Sequence, residues 1–216
     1  MPRPNRICFP GAVYHIIQRG NRGQDIFLED YDKWHLLKLF LEAKKKFACL
    51  FYCYALMSNH FHLTIETPSA VPISKIMQLA AGSYAVYFNK KYSRNGHLFQ
   101  GRFKSILVEK EAYLVNLSRY VHLNPVKAGL AKMPEEYQWS SYRIYLGLRK
   151  DSLVNTMPIL SYFGTQGGQN NPIAYKNFIE EGIPETVSTG KDWLDKNLTG
   201  KDFLCSREYI RQNKIV

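Results

Sequence analysis

The order and spacing of apolar segments predict an α+β domain, an antiparallel sheet of the split βαβ type with both helices on one face and the other face open to ligand. Three observations carry this. Short β-branched and aromatic runs alternate with longer stretches at helical spacing, in the order β-α-β-β-α-β. Two apolar runs, 48–57 and 60–67, are separated only by Ser58 and Asn59, which makes them partners across a short turn. Hydrophobic content of 45% and aromatic content of 14% supply a core, yet no run approaches the roughly 18 apolar residues of a membrane span.

Each element has its own reason. Residues 13–19 (Val-Tyr-His-Ile-Ile-Gln-Arg) read as the first strand, closed by Gly20-Asn21-Arg22-Gly23, a turn with two arginines beside two glycines. Asp30 or Asp32 caps a helix that buries Trp34, Leu36, Leu37, Phe40 and Leu41 and ends near Lys46. Lys44, Lys45 and Lys46 suit the negative end of its dipole. After the paired strands, a loop bracketed by Pro68 and Pro72 leads into a second helix over 73–91, with Ile76, Leu79, Ala80, Tyr84, Tyr87 and Phe88 inward. Residues 97–100 and 103–108 flank Gly101-Arg102 as a hairpin or irregular strand pair. A third helix starts near Lys110 and stops at Pro125, since the residue before proline disfavours helix.

Beyond Leu130 the character changes. Residues 1–132 hold 19 Lys and Arg against 8 Asp and Glu, and residues 133–216 hold 10 against 10, so the whole formal charge of +11 sits in the first part. This predicts a basic domain over 1–132 and a neutral, mostly helical extension over 133–216 that packs on it. The aromatic stretch 137–142 docks on the first domain, 172–181 forms a short helix, and the tail from Lys191 is helical. Cys8, Cys49, Cys53 and Cys205 are scattered and read as reduced packing residues. With no apolar leader at residues 1–6, the expectation is a cytoplasmic protein. A basic, Tyr- and Phe-rich domain suits a polyanion with stackable bases; charge alone does not separate DNA from RNA.

The chemistry-bearing stretch is His60-Phe61-His62, just past the Ser58-Asn59 turn. Alternation points both imidazoles the same way and Phe61 into the core, with Cα atoms about 7 Å apart at about 3.3 Å rise per residue. Two neutral imidazoles on a rigid strand can share one cation. On the third helix, Tyr120 and Asn124 are four apart and share a face, while His122 points away.

Taken together, these segments resemble the REP-associated tyrosine transposases, a branch of the HUH single-strand endonucleases allied to the small insertion-sequence tyrosine transposases. The matching residues are Tyr14-His15 through Arg19-Gly20-Asn21, the run 57–62 with both histidines, Gly96 to Phe103, Tyr120 to Gly129 with Asn124-Pro125-Val126, and Trp139 to Tyr142. The resemblance covers about residues 5–145. It implies a ferredoxin-like fold, Tyr120 as nucleophile, and His60 and His62 as ligands of Mg²⁺ or Mn²⁺. Asn124 stands at the third-ligand position, where several relatives place Gln. Ligand type alone suits Zn²⁺, Co²⁺ or Ni²⁺ equally. The turn with Arg19 and Asn21 resembles a segment that reads bases at a hairpin foot. Arg22, Arg102, Lys104 and Lys127 complete the expected DNA-binding set.

The implied reaction is cleavage of single-stranded DNA at a palindromic hairpin with transfer of the 5′ phosphate to tyrosine. A phenol has a reference pKa near 10, so the phenolate needs cationic help, for which Lys127 and Arg119 are candidates by sequence proximity. Glu66 lies about 13 Å along the strand from His62, too far to activate a water beside the cation. No Gly-x-x-x-x-Gly-Lys-[Ser/Thr] segment occurs, which argues against a helicase-linked initiator or a nucleotide cofactor. The expected partner is hairpin DNA and not a membrane, bound by a monomer or homodimer. The competing reading is a non-catalytic hairpin DNA- or RNA-binding protein on the same sheet.

Overall fold

A computed structural model describes residues 6–67, 71–166, 169–183 and 203–204. The fold class is as predicted. Four strands, β1 (Ala12–Arg19), β2 (Leu50–Leu56), β3 (His60–Thr67) and β4 (Lys104–Val108), form an antiparallel sheet in the order β2-β3-β1-β4. Helix α1 (Asp30–Phe47) follows β1 and precedes β2. Helices α2 (Ile73–Met77) and α3 (Ser83–Lys91) are the halves of the expected second helix, joined by a π-helical turn over Gln78–Gly82. Both crossovers lie on one face, where Phe40 of α1 meets Phe51 and Phe61 of the sheet.

α1 buries Leu36, Leu37, Leu39, Phe40 and Ala43. Trp34 was expected inward but is exposed: two residues before Leu36, it lies about 200° around the helix and packs edge-on to Trp139. Neither expected aspartate is the N-cap, which is Glu29. Asp32 is instead fully buried. It accepts from Leu28 N (2.9 Å) and Glu29 N (3.2 Å) of its own helix start, and from Lys91, Tyr87 and Tyr92 of and beside α3. This acidic group therefore ties the two crossover helices together. Lys44 has a job beyond the helix dipole: its ammonium donates to Ser152 O (2.8 Å) and Leu153 O (2.7 Å) of the later chain.

The expected hairpin over 97–108 does not form. Only Lys104–Val108 is strand. Residues 98–100 instead pair with the end of β1, through Asn21 N to Leu98 O (2.8 Å) and Gln100 N to Arg19 O (2.9 Å). The glycines at 96 and 101, both at positive φ, turn the chain away from a regular ladder.

Helix α4 (Lys110–Lys127) packs against β2 and β3 on the second face of the sheet, so that face is open only beyond the helix. It runs through Pro125 instead of stopping there. A proline in the last turn forfeits one bond. The true stop is Gly129 at φ +69, with Leu130 N bonded to Pro125 O and Gly129 N to Val126 O, both 2.9 Å. That is a Schellman closure.

Among the described residues, the later chain adds α5 (Tyr142–Tyr145), α6 (Met157–Leu160), a small β5–β6 ladder (Thr165–Gln166, Gln169–Asn170), α7 (Pro172–Glu180) and β7 (Phe203–Leu204). β7 lies parallel to β4 at the sheet edge, not in the expected tail helix. The rest of that tail from Lys191, with Cys205, and Pro68 of the expected loop lie outside the described residues. The edge of β2 is covered as the aromatic stretch suggested: Leu56 N donates to Trp139 O (2.9 Å), Ser141 N to Tyr54 O (3.0 Å) and Asn155 N to Phe51 O (2.7 Å). Covering an edge satisfies backbone groups that would otherwise recruit another strand.

His122 holds α4 to this layer. Fully buried, it lies 2.7 Å from Tyr175 Oη through Nδ1 and 2.7 Å from Ser141 Oγ through Nε2, and Tyr175 in turn donates to Ser118 Oγ (3.0 Å). Burial pushes its pKa down to about 3 from an ordinary 6.5. The unfolded chain therefore takes up a proton below pH 6.5 that the folded chain refuses. The stability this residue contributes is complete above that pH and is lost as the pH falls towards 3. Urea titrations between pH 6.5 and 4 should show stability falling with pH. In a folded His122→Phe variant the slope should be shallower by about 1.4 kcal/mol per pH unit.

Candidate active site

The antiparallel β1–β3 register places Arg19 opposite His60, Ile17 opposite His62 and His15 opposite Thr64. All these side chains, with Lys104 opposite Ile17 on β4, share the face that α4 covers in part. Phe61 points the other way and is fully buried, as alternation predicted.

Three histidines and one tyrosine meet there. The rings of His60 and His62 are 5.0 Å apart and nearly perpendicular. Tyr120 lies edge-on to both His62 (5.7 Å) and His15 (5.8 Å). It is only 6% exposed, covered by the helix it sits on and the strands beneath, and Lys127 lies over its ring at 5.8 Å. Asn124, one turn on, donates from Nδ2 to Tyr120 O (2.8 Å). A carbonyl only accepts, so the amide nitrogen is the atom facing it and Oδ1 is left available.

Two residues behind the histidine pair, Asn59 and His15, were given no role from the sequence. Asn59 donates from Nδ2 to Gly23 O (3.2 Å), which turns its Oδ1 to His60 Nδ1 at 2.6 Å. His60 must therefore donate from Nδ1 and offer its Nε2 lone pair. His15 Nε2 lies 3.0 Å from His62 Nδ1. Asn59 adjoins His60 in sequence and could have been noticed; His15 is 47 residues from its partner and no spacing rule links them.

The electrostatics favour neutral imidazoles. Burial, then the Arg19 charge, lowers His60 to about 4. Burial, then His15 and His60, holds His62 well below its ordinary value. Burial, then Lys104, takes His15 to about 3. Among the described residues no group of three or more His, Cys, Asp or Glu side chains is arranged to hold a metal ion. The side chains that could hold a cation here are His60, through its Nε2, together with His62 and Asn124. Imidazole nitrogens and an amide oxygen are uncharged donors of a kind that divalent ions accept.

The residues expected to bind DNA divide into two places. Arg19, Lys104 and Lys127 border the histidine–tyrosine cluster. Asn21 and Arg22 lie next to it in the turn Asn21–Gly23, where Arg22 takes a left-handed conformation (φ +53). Arg102 lies elsewhere, in a cleft of about 460 Å³ with Val86, Asn89, His97, Leu98 and Phe99 beside α3. Arg119 is turned away towards α7, donating to Phe178 O (3.3 Å) and stacking on that ring at 4.1 Å, so it does not serve Tyr120. Glu66 accepts from Tyr52 and Lys110 at the far end of β3 and is committed there.

The turn itself is tight. A Cβ on Gly20 would sit 2.1 Å from Gln24 O and 2.9 Å from Ile26 Cγ2. Gly20→Ala should lower stability by about 1–3 kcal/mol, read by urea denaturation, because the clash is with backbone and cannot be relieved by a rotamer change.

Residues 8–124 match the family profile described as Transposase IS200 like. Among solved structures, a REP-associated tyrosine transposase bound to a REP hairpin aligns with a TM-score of 0.58 at 15% identity, over 72% of this chain and 98% of that one. A candidate transposase from Deinococcus radiodurans aligns at 14% identity over 56% of this chain and 95% of that one, with a TM-score of 0.40. No curated protein matches. The profile spans more than half of the sequence and takes in both strand histidines and the tyrosine helix, so the chain belongs to the IS200-like transposase family.

Proposed function

We propose that this protein is a metal-dependent single-stranded DNA endonuclease and strand transferase of the REP-associated tyrosine type, acting on hairpin DNA through a 5′-phosphotyrosine intermediate. The observation that carries the reading is the meeting of Tyr120 with His62, 5.7 Å between rings, on the strand face that also holds His60. The relative whose structure holds a REP hairpin supports the choice of substrate class.

In this reading Tyr120 Oη attacks the scissile phosphorus as its proton is lost. The P–O3′ bond breaks, and the 3′-oxygen leaves and takes up, through solvent, the proton that the phenol has given up. The phosphodiester's energy is kept in the tyrosyl ester, so a 3′-OH reverses the step without a nucleotide cofactor. His60, His62 and Asn124 would hold Mg²⁺ or Mn²⁺, which supplies charge stabilisation at the phosphoryl oxygens. Lys127 over the Tyr120 ring favours the phenolate as it develops. Arg19 and Lys104 neutralise the incoming backbone, and Asn21, Arg22 and Arg102 extend the track; phosphate contacts of this kind set affinity and its salt dependence.

Labelled hairpin DNA with Mn²⁺, run on a denaturing gel, should yield a covalent adduct that is lost in Tyr120→Phe. His60→Ala should abolish cleavage while hairpin binding persists, because the cationic rim is intact. No adduct with any divalent ion or hairpin tried would overturn the enzyme reading and leave a hairpin-binding protein.

A further inference from the structure

His15 takes no part in the chemistry above, yet it is fully buried against it. Its ring lies edge to edge with that of His62, nearly coplanar (14°, centroids 5.2 Å apart), its Nε2 is 3.0 Å from His62 Nδ1, and its Nδ1 is buried with no hydrogen-bond partner among the described residues. Two ring nitrogens at that distance share one proton, so one donates and the other accepts.

Which one donates decides what His62 presents. If His15 donates, neutral His62 carries its own proton on Nε2 and offers no lone pair there. If His62 donates from Nδ1, its Nε2 lone pair is exposed to the site. The unpartnered Nδ1 of His15 costs energy in both arrangements and does not choose between them. The surroundings do: Arg19, Lys104 and Lys127 border the cluster, and their positive field favours an outward lone pair over an outward N–H dipole. His60 shows the same arrangement, its Nδ1 proton taken by Asn59 Oδ1.

We propose that His15 is a positioning residue that accepts the Nδ1 proton of His62 and so aims the lone pair of His62 Nε2 at the cation site. It is the counterpart for His62 of what Asn59 is for His60. The inference rests on reading His60 and His62 as ligands, but its first test does not need a metal.

Two-bond ¹H–¹⁵N spectra of histidine-labelled, metal-free protein at neutral pH should show His62 protonated on Nδ1. Protonation on Nε2 would overturn the proposal. In a Mn²⁺ titration followed by electron paramagnetic resonance, without DNA, His15→Phe keeps a ring but no acceptor and should weaken binding by about 10- to 100-fold. His15→Gln, whose amide oxygen can accept, should recover most of the loss, and metal-free hairpin affinity should not move. Unchanged Mn²⁺ affinity in a folded His15→Phe would also overturn it. If that variant does not fold, the spectrum and the Gln variant decide. If wild-type protein binds no Mn²⁺, the ligand reading falls by itself and the tautomer spectrum still judges His15.

Discussion

One register governs this molecule. Across the β1–β3 ladder Arg19 faces His60 and Ile17 faces His62, and two residues further along His15 faces Thr64. Strand side chains alternate faces, so this pairing gathers three imidazoles and an arginine on one side and sends Phe61, Leu63 and Ile65 to the other. A slip by one residue would exchange the two sets, burying charge under α1 and exposing the core. The apolar residues on the face beneath α1 therefore enforce the geometry of the polar face. Stability and site are written into alternate positions of the same strands.

The second constraint is that α4 is held from both sides. One side lies against β2 and β3 and brings Tyr120 beside His15 and His62. The other meets α7 and the 139–142 segment through His122, Ser118 and Arg119. Tyr120 and His122 are two residues apart and so project in different directions. One faces the histidine cluster and the other a buried network of hydroxyls. Contacts on both flanks of the helix fix the phenol next to the imidazoles. The later chain also covers the outer edge of β2, so it contributes to the sheet's integrity as well as to the position of the helix.

Charge is arranged around this cluster, not within it. Burial keeps the histidines neutral, and the neighbouring cations Arg19 and Lys104 reinforce that by opposing a further positive charge. Neutral imidazoles beneath a rim of Arg19, Lys104 and Lys127 are the arrangement that the reaction proposed above on a polyanion would call for. Arg102, in its separate cleft beside α3, extends positive charge away from the cluster along the chain's own loop at 96–103.

The amino-acid order by itself determined the β-α-β-β-α-β succession of the core, the common direction of His60 and His62, the inward turn of Phe61, the shared face of Tyr120 and Asn124, and the opposite aim of His122. Each follows from a local period of two or of 3.6 residues, which is a property of the backbone. Asn59 was also within reach, since it sits at the turn beside its partner. Only the tertiary structure decided that His15 meets His62, that α4 passes through Pro125 to Gly129, that 98–100 pairs with β1, and that Arg119 turns to α7 while Lys127 lies over Tyr120. These depend on which distant segments are pressed together. The free energy of such contacts comes from burial and from satisfying hydrogen bonds across long separations in the chain, and no local repeat encodes that sum.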